Sequence, residues 1–461
     1  MKILLVKPYS ASDHIQPSLG LGYLATAVRG KHDVKILDCI KRKVTIEKLP
    51  RFLKRFKPDV LGLQCYTFDM PYVKRAFRIA KRVRKDMVTV VGGPHPSAVP
   101  EEVFGELKGS LDYLFIGEAE VGFSRLMDAL QEKRTDLSGI PGLAWRKAGA
   151  IRKSAQVFTD DIDSLGLPAW DIIRPETYPE SQHGAFFKKF PIAPVMITRG
   201  CPFSCTFCAA GVVSGKKVRK RSIDSVLGEI RLLYDDFGIR EFHIIDDNFT
   251  MDKAYAKEFL KRLKALSLDI SLAVPNGVRM DTLDEEMLIL MKEAGLYLIS
   301  LGIESGSDRI LRLMKKSIST SKIRECVKMI NDSGIDAAGF FILGFPGDTI
   351  WSMLKTLSFS LQLDLARANF FTYLPFPGTE SYRQLKEAGE LDNVNWEEFY
   401  FTNASYCPPG VSRRKLKALH RFAFARFYMR TNIVLYQIRS VQSLRHFLFL
   451  AKRCFRWIVA S

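Results

Sequence analysis

Short apolar runs and amphipathic stretches alternate along the first ~165 residues. The apolar runs Lys2–Val6, Val34–Leu37, Val60–Leu63, Val88–Val91 and Tyr113–Ile116 are too short for helices and predict β-strands. Between them apolar positions recur at helical spacing, as over Val73–Val83 and Val121–Leu130. Such alternation predicts a doubly wound parallel sheet with helices on both faces, which binds ligands beyond the carboxyl ends of its strands. Gly142 to Ser154 predicts a hairpin, and the Pro- and Asp-rich residues 155–192 predict a linker.

A second series follows. Strands are predicted at Val195–Thr198, Glu241–Ile245, Ile270–Val274, Leu298–Ile303, Ala337–Leu343 and Ala368–Tyr373. Helices are predicted at Ile223–Asp235, Lys253–Leu266, Glu285–Ala294, Ser321–Asn331, Ile350–Leu363 and Glu380–Glu387. Six strand–helix units predict a partial (β/α)6 TIM-type barrel with its active end at the strand C-termini. The last ~50 residues predict helices. Leu444, Leu448, Ala451 and Phe455 fall on one stripe, and Arg445, Lys452 and Arg456 share a face, the pattern of a basic amphipathic helix. The expectation is an α/β chain: a Rossmann-like domain over 1–155, a linker over 156–192, a partial barrel over 193–400 and a basic helical region over 401–461.

Composition narrows the class. The 461 residues are 47% hydrophobic and 26% charged, as in a protein with a full core. Eight cysteines in this length make no disulfide scaffold, and five are scattered at Cys39, Cys65, Cys326, Cys407 and Cys454. That predicts a reducing, cytoplasmic setting with thiols free to bind metal. MKILLVKPYS reads as a first strand rather than a signal peptide. No stretch reaches the ~18 apolar residues of a membrane span. The net charge is +19, and residues 412–461 hold twelve Lys or Arg and no acid. A basic tail points to an anionic partner.

The candidate chemistry lies in Thr198-Arg199-Gly200-Cys201-Pro202-Phe203-Ser204-Cys205-Thr206-Phe207-Cys208, a C-x3-C-x2-C triplet at the predicted end of the first barrel strand. Thiolates suit zinc, copper(I) or iron–sulfur clusters. Structural zinc wants four ligands, and neither His nor Cys follows within ~30 residues of Cys208. Three thiolates can instead hold three corners of a four-iron cluster and leave the fourth iron open.

The triplet, with an aromatic before its last cysteine, resembles the radical S-adenosylmethionine (SAM) superfamily. The resemblance implies a 4Fe-4S cluster on Cys201, Cys205 and Cys208. In that family the open iron chelates SAM, whose reductive cleavage yields a 5′-deoxyadenosyl radical. It extends along the strand ends. Phe207 and the Asp246-Asp247-Asn248-Phe249 segment belong near the methionine moiety, with Asp246 and Asn248 as candidate ligands, although the usual Gly-Gly-Glu element is absent. Arg279 is implied for the methionine carboxylate, Glu304 or Ser305 for the ribose, and the backbone of Gly344 for the adenine. Pro375-Phe376-Pro377-Gly378-Thr379 follows the sixth strand. A lone strand-end Glu is more often ion-paired or solvated; the ordered set is what is specific.

The N-terminal half resembles the cobalamin-binding domain of one branch of that superfamily. The matching residues are Pro17 to Ala25, Gly92-Gly93-Pro94-His95-Pro96 and Gly117-Glu118. The implied cobalamin contacts are Ser18, Leu19, Gly20, Thr67, Gly92, Gly93, His95, Gly117 and Glu118. The Asp-x-His-x-x-Gly loop of many cobalamin proteins is missing, so the cobalt has no lower histidine from that source.

Together the resemblances imply a cobalamin-dependent radical SAM enzyme acting on an unactivated C–H bond. The leading expectation is a C-methyltransferase, with one SAM supplying the methyl group and a second the radical, on a lipid or other apolar small molecule. The alternative is an oxidative cyclase or another non-methylating rearrangement enzyme. More remote is a corrinoid- or nucleic-acid-binding protein without catalysis, against which the intact triplet speaks. A methylthiotransferase would need three more cysteines before Cys201, and only Cys39 and Cys65 exist. The expected partners are a low-potential electron donor such as a flavodoxin or ferredoxin and, through the tail, the anionic inner face of a membrane. Nucleic acid is not expected.

Overall fold

The computed structural model describes residues 1–9, 15–183, 187–392, 394, 398–439, 441 and 447. The first apolar runs form β1 (Lys2–Lys7), β2 (Asp33–Asp38), β3 (Val60–Gln64), β4 (Val88–Gly92) and β5 (Tyr113–Phe115). All five are parallel, in the order β2-β1-β3-β4-β5. Alternate side chains serve opposite faces. Ile3 and Leu5 join one apolar core with helices Leu19–Val28 and Glu120–Gln131, while Leu4 and Val6 join another with Leu49–Phe56 and Met70–Val83. The hairpin forms as β6 (Leu143–Lys147) and β7 (Ala150–Lys153), which extend the sheet antiparallel beyond β5.

The described residues of the 155–192 segment are fastened to both halves. Thr26 Oγ1 donates to Leu167 O at 2.6 Å, Arg29 pairs with Asp171, and Tyr178 donates to Asp38 at 2.9 Å. On the other side Trp170 Nε1 donates to Glu229 at 2.9 Å. Leu19, Tyr23 and Trp170 lie in one apolar core with Phe242 and Phe259 of the second unit, so the two halves share buried surface.

The second unit opens with β8 (Ile192–Val195), three residues earlier than predicted. The next backbone N–H groups, of Ile197 and Thr198, go to the Asp246 carboxylate instead of a neighbouring strand, which ends the strand at Val195. Thr198–Arg199 (β9) then pairs antiparallel with Arg219–Lys220 (β10), so the cysteine loop is carried by a separate two-stranded ribbon. The sheet continues through β11 (Glu241–Ile244), β12 (Ser271–Val278), β13 (Leu296–Glu304), β14 (Asp336–Leu343) and β15 (Arg367–Thr372). These strands and β8 are parallel and in chain order; β15 and β8 are its two edges and do not pair, so the barrel is open.

Helix Arg413–Tyr428 packs Leu416, Ala423 and Phe427 into the core that holds Phe242 and Phe259, and its His420 and Tyr428 bond the carbonyls of Phe370 and Ala368 on β15. Helix Thr431–Arg439 follows. The amphipathic stripe expected at Leu444, Leu448, Ala451 and Phe455, with Arg445, Lys452 and Arg456, lies outside the described residues.

Candidate active site

The cysteine loop is held from several directions. Gly200 has φ +92°, and a Cβ there would fall 2.3 Å from Lys217 O, so only glycine fits the turn into Cys201. Cys201 N–H donates to Gly215 O at 3.2 Å and Cys208 N–H to Cys205 O at 3.1 Å. Between the last two cysteines, Thr206 N–H donates to Met314 O at 3.1 Å, and Ser381 Oγ donates to Thr206 O at 2.9 Å. Desolvation raises the Cys201 thiol and holds that of Cys208 at about 11, so metal binding must release protons.

Two cations face these thiols. The Arg279 guanidinium lies 3.6 Å over the Phe203 ring, with Nε and Nη2 on Asp281 at 2.9 and 2.8 Å. Its Nη1 is buried without a hydrogen-bond partner among the described residues. Lys316 pairs with Glu304 at 2.8 Å. Burial pulls Lys316 down, but Glu304 and the thiols of Cys205 and Cys208 outweigh it and hold it above its ordinary value. Glu304 ends β13 with φ +62°, a left-handed conformation that non-glycine residues rarely adopt, beside a bulge in the pairing with β14. Phe207 meets Phe345 edge-on at 6.5 Å.

Other expected SAM contacts are engaged within the protein. Asp246 accepts from Ile197 N, Thr198 N and Thr198 Oγ1 at 2.6–2.8 Å, and so anchors the chain leading into the ribbon. Asn248 Oδ1 accepts from Thr250 at 3.1 Å. Ser305 turns toward Thr356 at 3.1 Å and accepts from Ser307 N–H. The Gly344 N–H is taken by Asp348 at 3.1 Å, and a Cβ at Gly344 would strike Leu416 of the C-terminal helix.

At the N-terminal sheet, strand order reverses between β1 and β3, where a doubly wound fold leaves its crevice. Ser18 caps helix Leu19–Val28 and donates to Gln64 at the end of β3. A Cβ at Gly20 would meet nothing within 4 Å, whereas Leu19 is buried in the shared core. Gly92 ends β4 and Gly93 follows with φ +116°; a Cβ on Gly93 would lie 2.8 Å from Cys65 O. Thr67 Oγ1 and His95 Nδ1 are 3.3 Å apart, both residues are buried, and desolvation pushes His95 down to about 4, so the ring is neutral. Gly117 N–H donates to Ser97 at 2.9 Å.

Glu118 belongs to a cluster that sequence reasoning did not foresee. It grips Arg219 of β10, and Arg199 of β9 lies between Glu118 at 3.4 Å and Glu120 at 2.8 Å, over the Tyr23 ring. Glu118 was expected at the corrinoid; both its oxygens instead bind arginine. Helix Pro94–Ala98 meets helix Ala210–Ser214 just past the cysteine loop, and Glu102 pairs with Lys386 at 2.7 Å. The strand-end loops of the first sheet therefore abut the loop that carries the cysteines. Lys316, two residues past the Thr206 anchor at Met314, was also missed; only its place in a Lys-Lys pair marked it in the sequence.

Residues 10–127 match the B12 binding domain model and residues 195–360 the radical SAM superfamily model. The chain is 32% identical over its whole length to an uncharacterised methyltransferase of Pyrococcus horikoshii, of which it covers 98%. The chain belongs to the radical SAM superfamily, in the branch with a B12-binding domain. It is also 29% identical to the cytidylyl-2-hydroxyethylphosphonate methyltransferase of Streptomyces wedmorensis, over 85% of this chain and 83% of that one. A 24% identity, over 97% and 81%, links it to the anaerobic magnesium-protoporphyrin IX monomethyl ester cyclase of Rubrivivax gelatinosus. Among solved folds, the cobalamin-dependent SAM radical enzyme OxsB superposes with a TM-score of 0.73 at 17% identity, over 98% of this chain and 70% of that one.

This radical SAM enzyme takes a 4Fe-4S cluster, SAM and cobalamin, and the residues present fit them. Among the described residues no three His, Cys, Asp or Glu side chains converge to grip a single metal ion. A cuboidal cluster asks for something else, three thiolates each on its own iron, flanked here by the cations of Arg279 and Lys316. The orphaned Arg279 Nη1 is a free donor for a carboxylate. The open face at Gly20 and the close-packed Gly93 turn suit a bulky corrinoid over the strand ends.

Proposed function

We propose that the chain is a C-methyltransferase acting on an unactivated C–H bond of an apolar small molecule. The observation that supports this reading is the contact of helix Pro94–Ala98, at the strand ends of the first sheet, with helix Ala210–Ser214 just past the cysteine loop. The likeness to two methyltransferases over most of the chain favours methyl transfer over other radical outcomes. When bound, the cluster with SAM supplies a 5′-deoxyadenosyl radical and the corrinoid supplies a methyl group.

The chain's own part is placement. Cys201, Cys205 and Cys208 would hold the cluster. Arg279 would offer its unpartnered Nη1 to the methionine carboxylate, while Asp281 holds Nε and Nη2. Glu304, restrained by Lys316, would meet the ribose, and Phe207 on Phe345 would give an apolar wall. Asp246, Asn248, Ser305 and Gly344 act through the loops they hold. Ser18, Gly20, Thr67, Gly92, Gly93, His95 and Gly117 shape the corrinoid crevice, and Glu118 locks it against the ribbon.

Anaerobic reconstitution with iron, sulfide and cobalamin tests the reading. 5′-Deoxyadenosine together with S-adenosylhomocysteine is the expected product pair. 5′-Deoxyadenosine alone would favour the second reading, an oxidative cyclase, which the similarity to the magnesium-protoporphyrin enzyme supports. Neither product would overturn both.

An apolar or lipid substrate and peripheral contact with the inner face of an anionic membrane are the finer parts of the proposal, for a protein of the cytoplasm. Phe422, Val434, Leu435 and Ile438 are exposed on the two acid-free C-terminal helices, and Met429 is exposed in the turn between them. Among the described residues no helix is long and apolar enough to cross a membrane.

A further inference from the structure

The cluster of such an enzyme must receive an electron from outside, and one surface beside the cysteine loop has the features of an entry point. Trp351, in the first turn of helix Ile350–Gln362, is 79% exposed, more than any other large apolar side chain among the described residues. Leu313, at the end of helix Asp308–Leu313, is 46% exposed. The two helices are joined at Gly347. Arg309 donates to Gly347 O at 2.6 Å, and a Cβ on Gly347 would lie 2.9 Å from Leu313 Cδ1.

The exposed charge around these apolar groups is mainly positive. Arg309, Arg312 and Lys355 are exposed, and none has a carboxylate in salt-bridge range among the described residues. Of the neighbouring acids, Glu380 pairs with Lys315, Asp348 is buried on the Gly344 turn within reach of the Arg309 charge, and Asp308 is exposed and bonds only the neutral Thr320, which leaves the cations in excess. An exposed tryptophan and leucine flanked along their helices by Arg and Lys in excess of acid suit an acidic protein.

The same segment is bonded to the cysteine loop on its inner side. Thr206, between Cys205 and Cys208, donates its N–H to Met314 O at 3.1 Å and its hydroxyl to Leu313 O at 3.4 Å. Lys316, two residues further on, is the cation that faces the Cys205 and Cys208 thiols. One residue thus touches solvent with its side chain and the cluster-bearing loop with its backbone.

We propose that Leu313, Trp351, Arg309, Arg312 and Lys355 dock an acidic one-electron carrier protein, and that the electron crosses to the cluster through the Leu313–Met314 backbone and its hydrogen bonds to Thr206. The inference rests on the radical SAM reading. In the transfer a flavin hydroquinone of the carrier loses one electron to become the semiquinone, and the oxidised cluster gains it.

The test uses the full chain, the double variant Arg312→Glu/Lys355→Glu and the variant Trp351→Ser, with an acidic flavodoxin as probe. Binding of the flavodoxin to the unreconstituted chain, measured by calorimetry, should weaken about tenfold or more in the double variant and fall with added salt in the parent. After reconstitution, 5′-deoxyadenosine formation driven by reduced flavodoxin should drop about tenfold in both variants, while formation driven by dithionite stays within about twofold of the parent. Equal flavodoxin binding and equal flavodoxin-driven rates overturn the docking surface, as does an equal loss with dithionite. No 5′-deoxyadenosine with dithionite in the parent overturns the radical reading itself, and the binding measurement still decides the surface.

Discussion

Glu118 and Arg219, 101 residues apart, join the two halves of the molecule through a forked ion pair, carboxylate oxygens against both terminal guanidinium nitrogens at 2.5 and 2.8 Å. The Arg219 side chain is 2% exposed and Glu118 9%, so neither charge can fall back on water. Removing one partner of such a buried pair leaves the other uncompensated, with Arg199 beside it. Glu118→Ala should therefore lower stability by about 3–5 kcal/mol, read by urea denaturation. Glu118→Asp, which keeps the charge, should lose less. An unchanged midpoint for Glu118→Ala would show that the ribbon is held by other contacts.

The thiol loop and the corrinoid crevice use different residues. Cys205→Ala should abolish 5′-deoxyadenosine and deplete bound iron, while the visible spectrum of bound cobalamin stays largely intact. Loss of cobalamin together with iron would show that the two sites do not assemble independently.

His95 gives the N-terminal domain an acid limit. Burial lowers its folded pKa to about 4 from 6.5, so between these values the unfolded chain binds more protons than the folded one. This contribution to stability is fully present above pH 6.5 and is lost as pH falls toward 4, by at most about 3 kcal/mol. His95→Gln should flatten that part of the stability–pH curve, measured by thermal melts across the window. A slope equal to that of the parent would place the acid sensitivity elsewhere.

The exposed apolar residues of the last helices predict a membrane-surface role. Replacing Phe422, Met429 and Ile438 by Ser should reduce sedimentation with anionic liposomes, and raising salt should do the same. Neutral liposomes should retain less of the parent. Equal partitioning of parent and variant removes the membrane proposal and with it the main argument for a lipid substrate.

Much of this protein could be read locally. Apolar spacing along a strand or helix is set by neighbours a few residues away, so both strand–helix series, the hairpin and the helical character of the described part of the tail were legible. The C-x3-C-x2-C spacing sits within eight residues and carried its chemistry with it. What only tertiary structure decided is which polar groups meet across long separations. Asp246 spends its carboxylate on Ile197 and Thr198, which cuts β8 short, and the pattern of either segment alone contains no sign of it. Glu118 could be placed on a strand-end loop but not against Arg219. Lys316 could be placed between the fourth strand of the second series and the helix after it, but not against Glu304 and two thiols. Side-chain periodicity reports which face of an element is buried; the partner of a buried charge is fixed only when two elements dock.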